Sequence, residues 1–198
     1  MLLKRIFDFA AALCCLIALL PVLPVIAILI AIDSPGGVFF KQMRVGQNKR
    51  LFLLYKFRTM RTDSEKSGQL TVGEHDSRIT SIGYWLRKYK IDELPQLLNV
   101  LKGDMSLVGP RPEVEKYVNL YSEEESKVLS VKPGITDCAS INHFNENELL
   151  NANPDPEATY IKEIMPRKIK QSLAYIQQRS FTKDLAVIAQ TLKRCVIS

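Results

Sequence analysis

Histidine is almost missing from this 198-residue chain, which carries only His75 and His143. They stand too far apart in sequence to form a local metal motif. Cysteine is scarce too: Cys14, Cys15, Cys138 and Cys195 form no Cys-x-x-Cys pair, and two of them lie inside an apolar run. Neither a zinc site nor a disulfide framework is indicated, and free thiols in a reducing cytoplasm fit the pattern. The chain has no Walker loop and no Gly-x-Gly-x-x-Gly, which removes support for nucleoside triphosphate or dinucleotide chemistry. It also lacks internal repeats, low-complexity tracts and any recognisable nucleic-acid module.

The length suits one domain plus a membrane element. With 46% hydrophobic and 24% charged residues the chain reads as ordered. The balance of 27 basic against 21 acidic residues gives a net charge of +6, which suits an anionic partner. Lipid headgroups and nucleotide phosphates rank above nucleic acid, because the basic residues are scattered among acidic ones.

From Phe9 to Ile32 there are 24 residues without a charge, enough for a membrane helix. Pro21 and Pro24 fall near the centre, where each removes a backbone donor. Lys4 and Arg5 precede the segment and Lys41, Arg44, Lys49 and Arg50 follow it, so both ends favour the same side. Two forms satisfy these facts: a helix that enters, bends at the prolines and returns, or a kinked helix that spans. The run is too long for a signal-peptide core.

Asp33-Ser34-Pro35-Gly36-Gly37 is a turn cluster. Val38 to Met60 reads as a strand hairpin, with Gly46-Gln47-Asn48 near its turn and Leu51 to Phe57 as the second arm. On an extended second arm, Lys56 and Arg58 share a face and could grip a phosphate, or simply form a solvated edge. Thr62 to Ser77 is polar and reads as a loop near the site; its Asp63-Ser64-Glu65 is a solvated acidic run. Helices are expected over Thr80 to Tyr89 and Leu94 to Leu101, the second opened by Asp92 or Glu93 and stopped at Gly103. From Pro156 the pattern is helical and amphipathic, with Ile169, Leu173 and Ile176 on one face and Phe181, Leu185, Ile188 and Leu192 on another. These faces suit either a core or a membrane interface.

The richest stretch is Asp92-Glu93-Leu94-Pro95-Gln96, followed by Asn99, Lys102-Gly103-Asp104-Met105-Ser106 and Gly109-Pro110-Arg111-Pro112. Asp92 and Glu93 suit a helix start, where carboxylates are stabilised by roughly 0.3–1 kcal/mol. They also suit catalysis, since a carboxylate can attack phosphorus to give an acyl-phosphate. Attack on a diphosphate brings anions together, so Mg²⁺ and cations must offset the charge. Lys56, Arg58, Arg87 and Arg111 are the candidate cations. Arg111 sits between two prolines on a stiff backbone, from which a guanidinium can hold a phosphate in bidentate fashion.

At this point the chain resembles the bacterial sugar transferases, monotopic enzymes that pass a sugar-1-phosphate to a polyprenyl phosphate. The matching runs are Lys4-Arg5-Ile6-Phe7-Asp8, Tyr55-Lys56-Phe57-Arg58-Thr59-Met60, Arg78-Ile79-Thr80, Leu86-Arg87-Lys88, Asp92-Glu93-Leu94-Pro95-Gln96, Lys102 to Ser106 through Arg111-Pro112, and Lys132-Pro133-Gly134-Ile135-Thr136. They cover residues 4 to about 143 in the family's order.

The resemblance implies an α+β, mainly helical fold. It has a re-entrant membrane helix over 1–36, and a cytoplasmic-face catalytic domain over 37–198 with a small β-hairpin and amphipathic interface helices. It implies a site in which Asp92 is the nucleophile and Mg²⁺ ligand. Glu93 would assist acceptor deprotonation or metal positioning, and Lys56, Arg58, Arg87 and Arg111 would bind substrate. The implied partners are a UDP-sugar, undecaprenyl phosphate and membrane lipids at the bacterial inner membrane; nucleic acid is not one, and a homodimer is compatible.

Two departures stand out. Leu20-Pro21 replaces the Ser-Pro frequent at the membrane break, so the bend must lean on its prolines. Asp137-Cys138-Ala139-Ser140 replaces a frequent Gly-Trp-Ala-Gln, which points to an acetamido or amino sugar of O-antigen, capsule or glycoprotein pathways. The competing readings are a non-catalytic membrane-surface scaffold with the same fold, and a single-span anchor carrying a nucleic-acid-binding domain.

Overall fold

Proline sets the shape of the N-terminal segment. In this computed structural model, which describes residues 2–62, 64, 76–139, 150 and 153–197, helix α1 (Leu2–Leu19) and helix α2 (Val22–Asp33) meet at a 65° bend. Pro21 lies at the break and no side chain caps α2 there. Pro24 falls in the first turn of α2, where its missing N–H leaves no helical bond unmade. No single described helix is long and apolar enough to cross a membrane; the bent pair has the length and composition only when taken together.

Each helix of the pair buries one narrow stripe. Ala12 of α1 packs with Phe52, Leu54, Leu97, Val100 and Met105, and Ile26 and Ile30 of α2 pack with Phe57 and Leu86. Leu16, Leu19 and Leu23 pack partly against the same clusters, and many of the other apolar residues face outward, with Ile17 60% and Ile32 78% exposed. The polar end of α1 is bonded down. Arg5 donates to the carbonyls of Val100 (2.6 Å) and Leu101 (3.1 Å), and buried Asp8 accepts from Ser106 Oγ at 2.6 Å.

The hairpin forms as its alternation requires. Strands β1 (Phe39–Val45) and β2 (Leu51–Phe57) pair antiparallel from Phe39 opposite Phe57 to Val45 opposite Leu51. Asn48 and Lys49 take positive φ in the turn between them. Phe52 and Leu54 are buried while Leu51 and Leu53 are exposed, the two-residue period of a half-buried strand.

Helix α3 (Ser81–Lys88) is capped by the Thr80 hydroxyl, which accepts from Gly83 N. Asp33 at the end of α2 accepts from Ile82 N at 2.8 Å, tying the two helices together. Gly83 sits so close to the Thr59 carbonyl that a Cβ would lie 2.2 Å from it. Lys90 then turns the chain with φ 57 into a 3₁₀ turn over Ile91–Glu93, followed by helix α4 (Gln96–Lys102). Gly103, at φ 91, ends α4 as expected.

The architecture is mainly helical with a small antiparallel sheet, in line with the sequence reading. A second element was not anticipated: β3 (Ser106–Val108) and β4 (Gly134–Thr136) pair in parallel. Gly134 is required by closeness, since a Cβ there would meet Gly109 N at 2.1 Å. Short helices α5 (Glu115–Val118) and α6 (Glu123–Ser126) lie between those strands.

The C-terminal part is helical as expected: α7 (Pro156–Thr159), a π turn over Tyr160–Ile164, α8 (Met165–Gln178) and α9 (Phe181–Ile197). Pro166 offers no amide hydrogen to Lys162, and the helix widens just before it. Ile169 is buried, with Leu173 packed in the same cluster and Ile176 beside Val108, so that face is core. Helix α9 differs. Its buried stripe is Asp184 and Val187, while Phe181, Leu185 and Leu192 stay exposed and only Ile188 is partly covered. The Phe181 ring meets Phe7 of α1 edge-on at 5.1 Å, so the exposed apolar surfaces of the two helices adjoin.

Most of the expected 62–77 loop, including Asp63 and Glu65 of its acidic run, lies outside the described residues, as do His75, His143 and Ser140.

Candidate active site

Three separate pieces of chain meet at Asp92 and Glu93. The end of β2 brings Lys56, the 3₁₀ turn brings the two carboxylates, and residues 109–114 form a strap that brings Arg111. Lys56 Nζ donates to Glu93 Oε1 at 2.9 Å and stands 3.9 Å from Asp92 Oδ2. Arg111 Nη2 reaches the same Glu93 oxygen at 2.5 Å. Both carboxylates lie in the 3₁₀ turn that leads into α4, as the helix-start reading expects, but neither side chain caps α4.

The two carboxylates therefore differ sharply. Burial alone would raise the Glu93 carboxyl, but Arg111 and Lys56 together hold it well below its ordinary value. Burial pushes the Asp92 carboxyl up, against the pull of Lys56, with Glu93 adding repulsion. Asp92 is 5% exposed, and its Oδ1 has no hydrogen-bond partner among the described residues. An orphaned buried carboxylate oxygen costs free energy unless something binds it. Such an atom is where an electrophile or a cation belongs.

The fit to Mg²⁺ rests on that oxygen. Among the described residues no group of three or more His, Cys, Asp and Glu side chains converges. Mg²⁺ suits so sparse a set, because it commonly takes one or two carboxylates and completes its shell with phosphate oxygens and water. Asp92 is the residue that would hold it.

Arg87, near the end of α3, is half-buried. Burial lowers its pKa, while the negative charges of Asp92 and Asp76 act to raise it. Asp76 is engaged by Arg78, whose Nε and Nη2 bond its two oxygens at 2.9 and 2.6 Å. The charge of Arg87 thus acts on Asp92 beside those of Lys56 and Glu93, and Arg111 acts on the same two carboxylates.

Arg58 does not join them. The strand period that would put it beside Lys56 ends at Phe57, and the side chain turns toward the end of α2. There Nη1 donates to Pro35 O at 2.7 Å and Nη2 to Ser34 O at 2.5 Å, in a buried setting. The expected two-residue phosphate grip of Lys56 and Arg58 is corrected accordingly: Arg58 closes the turn behind the bent helices.

Sequence reading assigned no role to Asn99, which is fully buried and holds the site's floor in place. Its Oδ1 accepts from Tyr55 N at 3.1 Å and its Nδ2 donates to Leu53 O at 2.7 Å, riveting α4 to β2 one residue from Lys56. A buried asparagine on an otherwise apolar helix face was the available signal. Glu113, Arg44 and Tyr160, which brace the strap, were missed as well. A cavity of about 50 Å³ beside the strap is lined by residues including Arg111, Glu113, Asp137, Ala139, Lys168 and Ser172.

Known proteins match along the whole chain. Residues 1–198 match the sequence profile of the bacterial sugar transferase family. An uncharacterised sugar transferase, EpsL, of Bacillus subtilis is 40% identical over 200 residues, covering 100% of this chain and 89% of the relative. An undecaprenyl-phosphate glucose phosphotransferase of Komagataeibacter xylinus is 40% identical over 205 residues, again over 100% of this chain but only 36% of the relative. A UDP-N-acetylgalactosamine-undecaprenyl-phosphate N-acetylgalactosaminephosphotransferase of Aeromonas hydrophila is 37% identical over 193 residues, covering 96% of this chain and 43% of the relative. The chain thus spans most of the first relative and under half of the other two.

Proposed function

The chain belongs to the bacterial sugar transferase family and is an enzyme of the phosphoglycosyl transferase class; from that premise we propose that it moves a sugar-1-phosphate from a UDP-sugar to undecaprenyl phosphate and releases UMP. The observation that carries this reading is the asymmetry of the pair: Glu93 Oε1 is bonded by both Lys56 and Arg111, while the buried Asp92 Oδ1 has no partner among the described residues.

In the proposed reaction, Asp92 Oδ1 attacks the phosphorus that bears the sugar. The bond from that phosphorus to the bridging oxygen breaks, and the electron pair leaves with UMP. An oxygen of the acceptor phosphate then attacks the same phosphorus, breaking the bond to Asp92 and restoring the carboxylate. Arg111 and Lys56 hold positive charge beside the transferring group, and Arg87 adds to it from α3. Glu93 keeps both cations in place and assists the acceptor or the metal. Bound Mg²⁺ supplies charge neutralisation on the diphosphate oxygens.

The setting of the site supports a lipid acceptor. The outward apolar faces of α1 and α2, joined by Phe181, Leu185 and Leu192 of α9, form a surface that favours a bilayer. We read residues 1–36 as a re-entrant element and residues 37–198 as the catalytic part on the cytoplasmic face of the inner membrane, where the chain initiates a surface glycan. An acetamido or amino sugar is the proposed cargo, supported by the Asp137-Cys138-Ala139 departure, two residues of which line the cavity beside Arg111. Glucose, named for one relative, is the competing cargo.

The test is a panel of UDP-sugars offered with undecaprenyl phosphate and Mg²⁺ to the purified chain. UMP release with transfer of label to the lipid supports the reading, and the panel ranks the sugars. Release of UDP instead overturns it.

A further inference from the structure

We propose that Glu113, clamped by Arg44 and Tyr160, is a positioning residue that sets where Arg111 meets the catalytic carboxylates. Pro110 and Pro112 offer the middle of the strap no amide hydrogen, so its own N–H bonds lie at its ends, from Gly109 N to Thr136 O at 3.1 Å and from Val114 N to Glu113 Oε1. Between them it is held through its acceptors. Pro110 O accepts from Gly134 N at 2.9 Å, Pro112 O accepts from Arg44 Nη1 at 3.2 Å, and Glu113 O accepts from Val45 N at 2.9 Å. Two of these three anchors come from the far end of β1.

The Glu113 carboxylate gathers the rest. Oε1 accepts from Arg44 Nη1 at 3.0 Å and from Val114 N at 2.8 Å, and Oε2 accepts from the Tyr160 hydroxyl. Arg44 is in turn oriented by Gln42, whose Oε1 accepts from Nε at 3.1 Å and from Nη2 at 2.7 Å. Every donor of this group is charge-assisted or rigidly placed, so the backbone of residue 112 has little freedom. Arg111 is one residue away, with its guanidinium 2.5 Å from Glu93. A shift of about 1 Å in such a contact is enough to cost a large factor in rate. Their hydrogen bonds lead to the strap that carries Arg111, and Arg44 also adds its charge at Arg111 and Glu93, which the neutral Tyr160 hydroxyl does not.

The role rests on the reading of Asp92, Glu93 and Arg111 as the reaction site, and its test has one arm that needs no turnover. Arginine-labelled full-length chain in nanodiscs is observed by NMR, and the Arg111 guanidinium signal is assigned by its loss in Arg111→Lys. In the unaltered chain it is expected to stand apart from arginines that bind no carboxylate. Arg44→Gln, or the milder Tyr160→Phe that removes a single hydroxyl, is expected to move it to their position. An unchanged signal in both variants overturns the proposal.

The second arm measures UMP release. Arg44→Gln is expected to lower it about tenfold in the unaltered chain and less than about twofold in an Arg111→Ala background, the non-additivity of residues acting through one another. Equal losses in both backgrounds overturn the positioning role. A chain that releases no UMP from any donor defeats the proposed function, while the NMR arm still decides whether Glu113 sets Arg111.

Discussion

Arg58 and Arg111 hold two corners of this protein, and the difference lies in what each one grips. Arg58 is buried and binds the neutral backbone carbonyls of Ser34 and Pro35 just past the end of α2. Arg111 is about two-fifths exposed and binds a carboxylate whose neighbour, Asp92, has an oxygen to spare. A cation consumed by carbonyls stabilises a corner. A cation that is half open beside an unsatisfied carboxylate can still change partners when a phosphate arrives. Residue type was the same in both places; the acceptors decided the role.

The strongest attempt to break this contrast removes the atom on which it turns. Asp92→Asn is expected to abolish the labelled aspartyl intermediate and to lower UMP release by about 10⁴-fold or more, as loss of a nucleophile does. Radiolabel trapped on the variant with turnover intact would sink the assignment. Next comes Arg111→Ala, expected to cost about 10²–10³-fold in UMP release, a far larger effect than the fall in melting temperature that follows when buried Glu93 keeps only Lys56. Its counterpart Arg58→Ala should do the reverse. Leaving buried carbonyls without their donor costs about 1–3 kcal/mol, so the melting temperature falls while turnover per folded molecule stays within about threefold. If Arg58→Ala retains its melting point and loses activity, the two corners have been misread.

The smallest effect is a separation by pH. Glu93 titrates well below 4.5 in the folded chain, so its stabilisation is present in full above that value and is lost as pH falls through the depressed folded pKa. Asp92 has the opposite sign: burial holds its carboxyl above its ordinary value, so falling pH protonates it sooner than an ordinary aspartate and relieves a buried charge. Activity should therefore decline on the acid side before stability does. Parallel pH profiles of UMP release and thermal unfolding check this, with Glu93→Gln expected to remove the later, stability-linked step.

The same contrast explains what was legible in the sequence. The hairpin, α3 and the stop of α4 follow from local signals: alternation over Leu51 to Phe57, the Thr80 cap and Gly103. The grouping of Lys56, Glu93 and Arg111 was reachable because opposite charges on rigid pieces of chain have one obvious way to be satisfied. Arg58 was not, because its acceptors are carbonyls more than twenty residues back, and carbonyls carry no sequence signature. The β3–β4 pair escaped for a related reason. Each strand has three residues, too few for a period, and the packing of Gly109 on Gly134 is a long-range contact. The face of α9 was read from apolar spacing, whereas Asp184 lies inside, bonded to Lys4 and Tyr175 at 2.5 Å each. A satisfied buried charge inverts the pattern that apolar spacing predicts.

The bonds from Arg5 to the last carbonyls of α4, with that of Ser106 to Asp8, fasten the charged foot of α1 to the helix that begins just after Asp92. Tilting one therefore tilts the other. In a chain seated in lipid by its outward apolar flank, as proposed above, the depth of the seat would set the height of the proposed reacting carboxylate, and bilayer thickness would enter the rate as a mechanical variable.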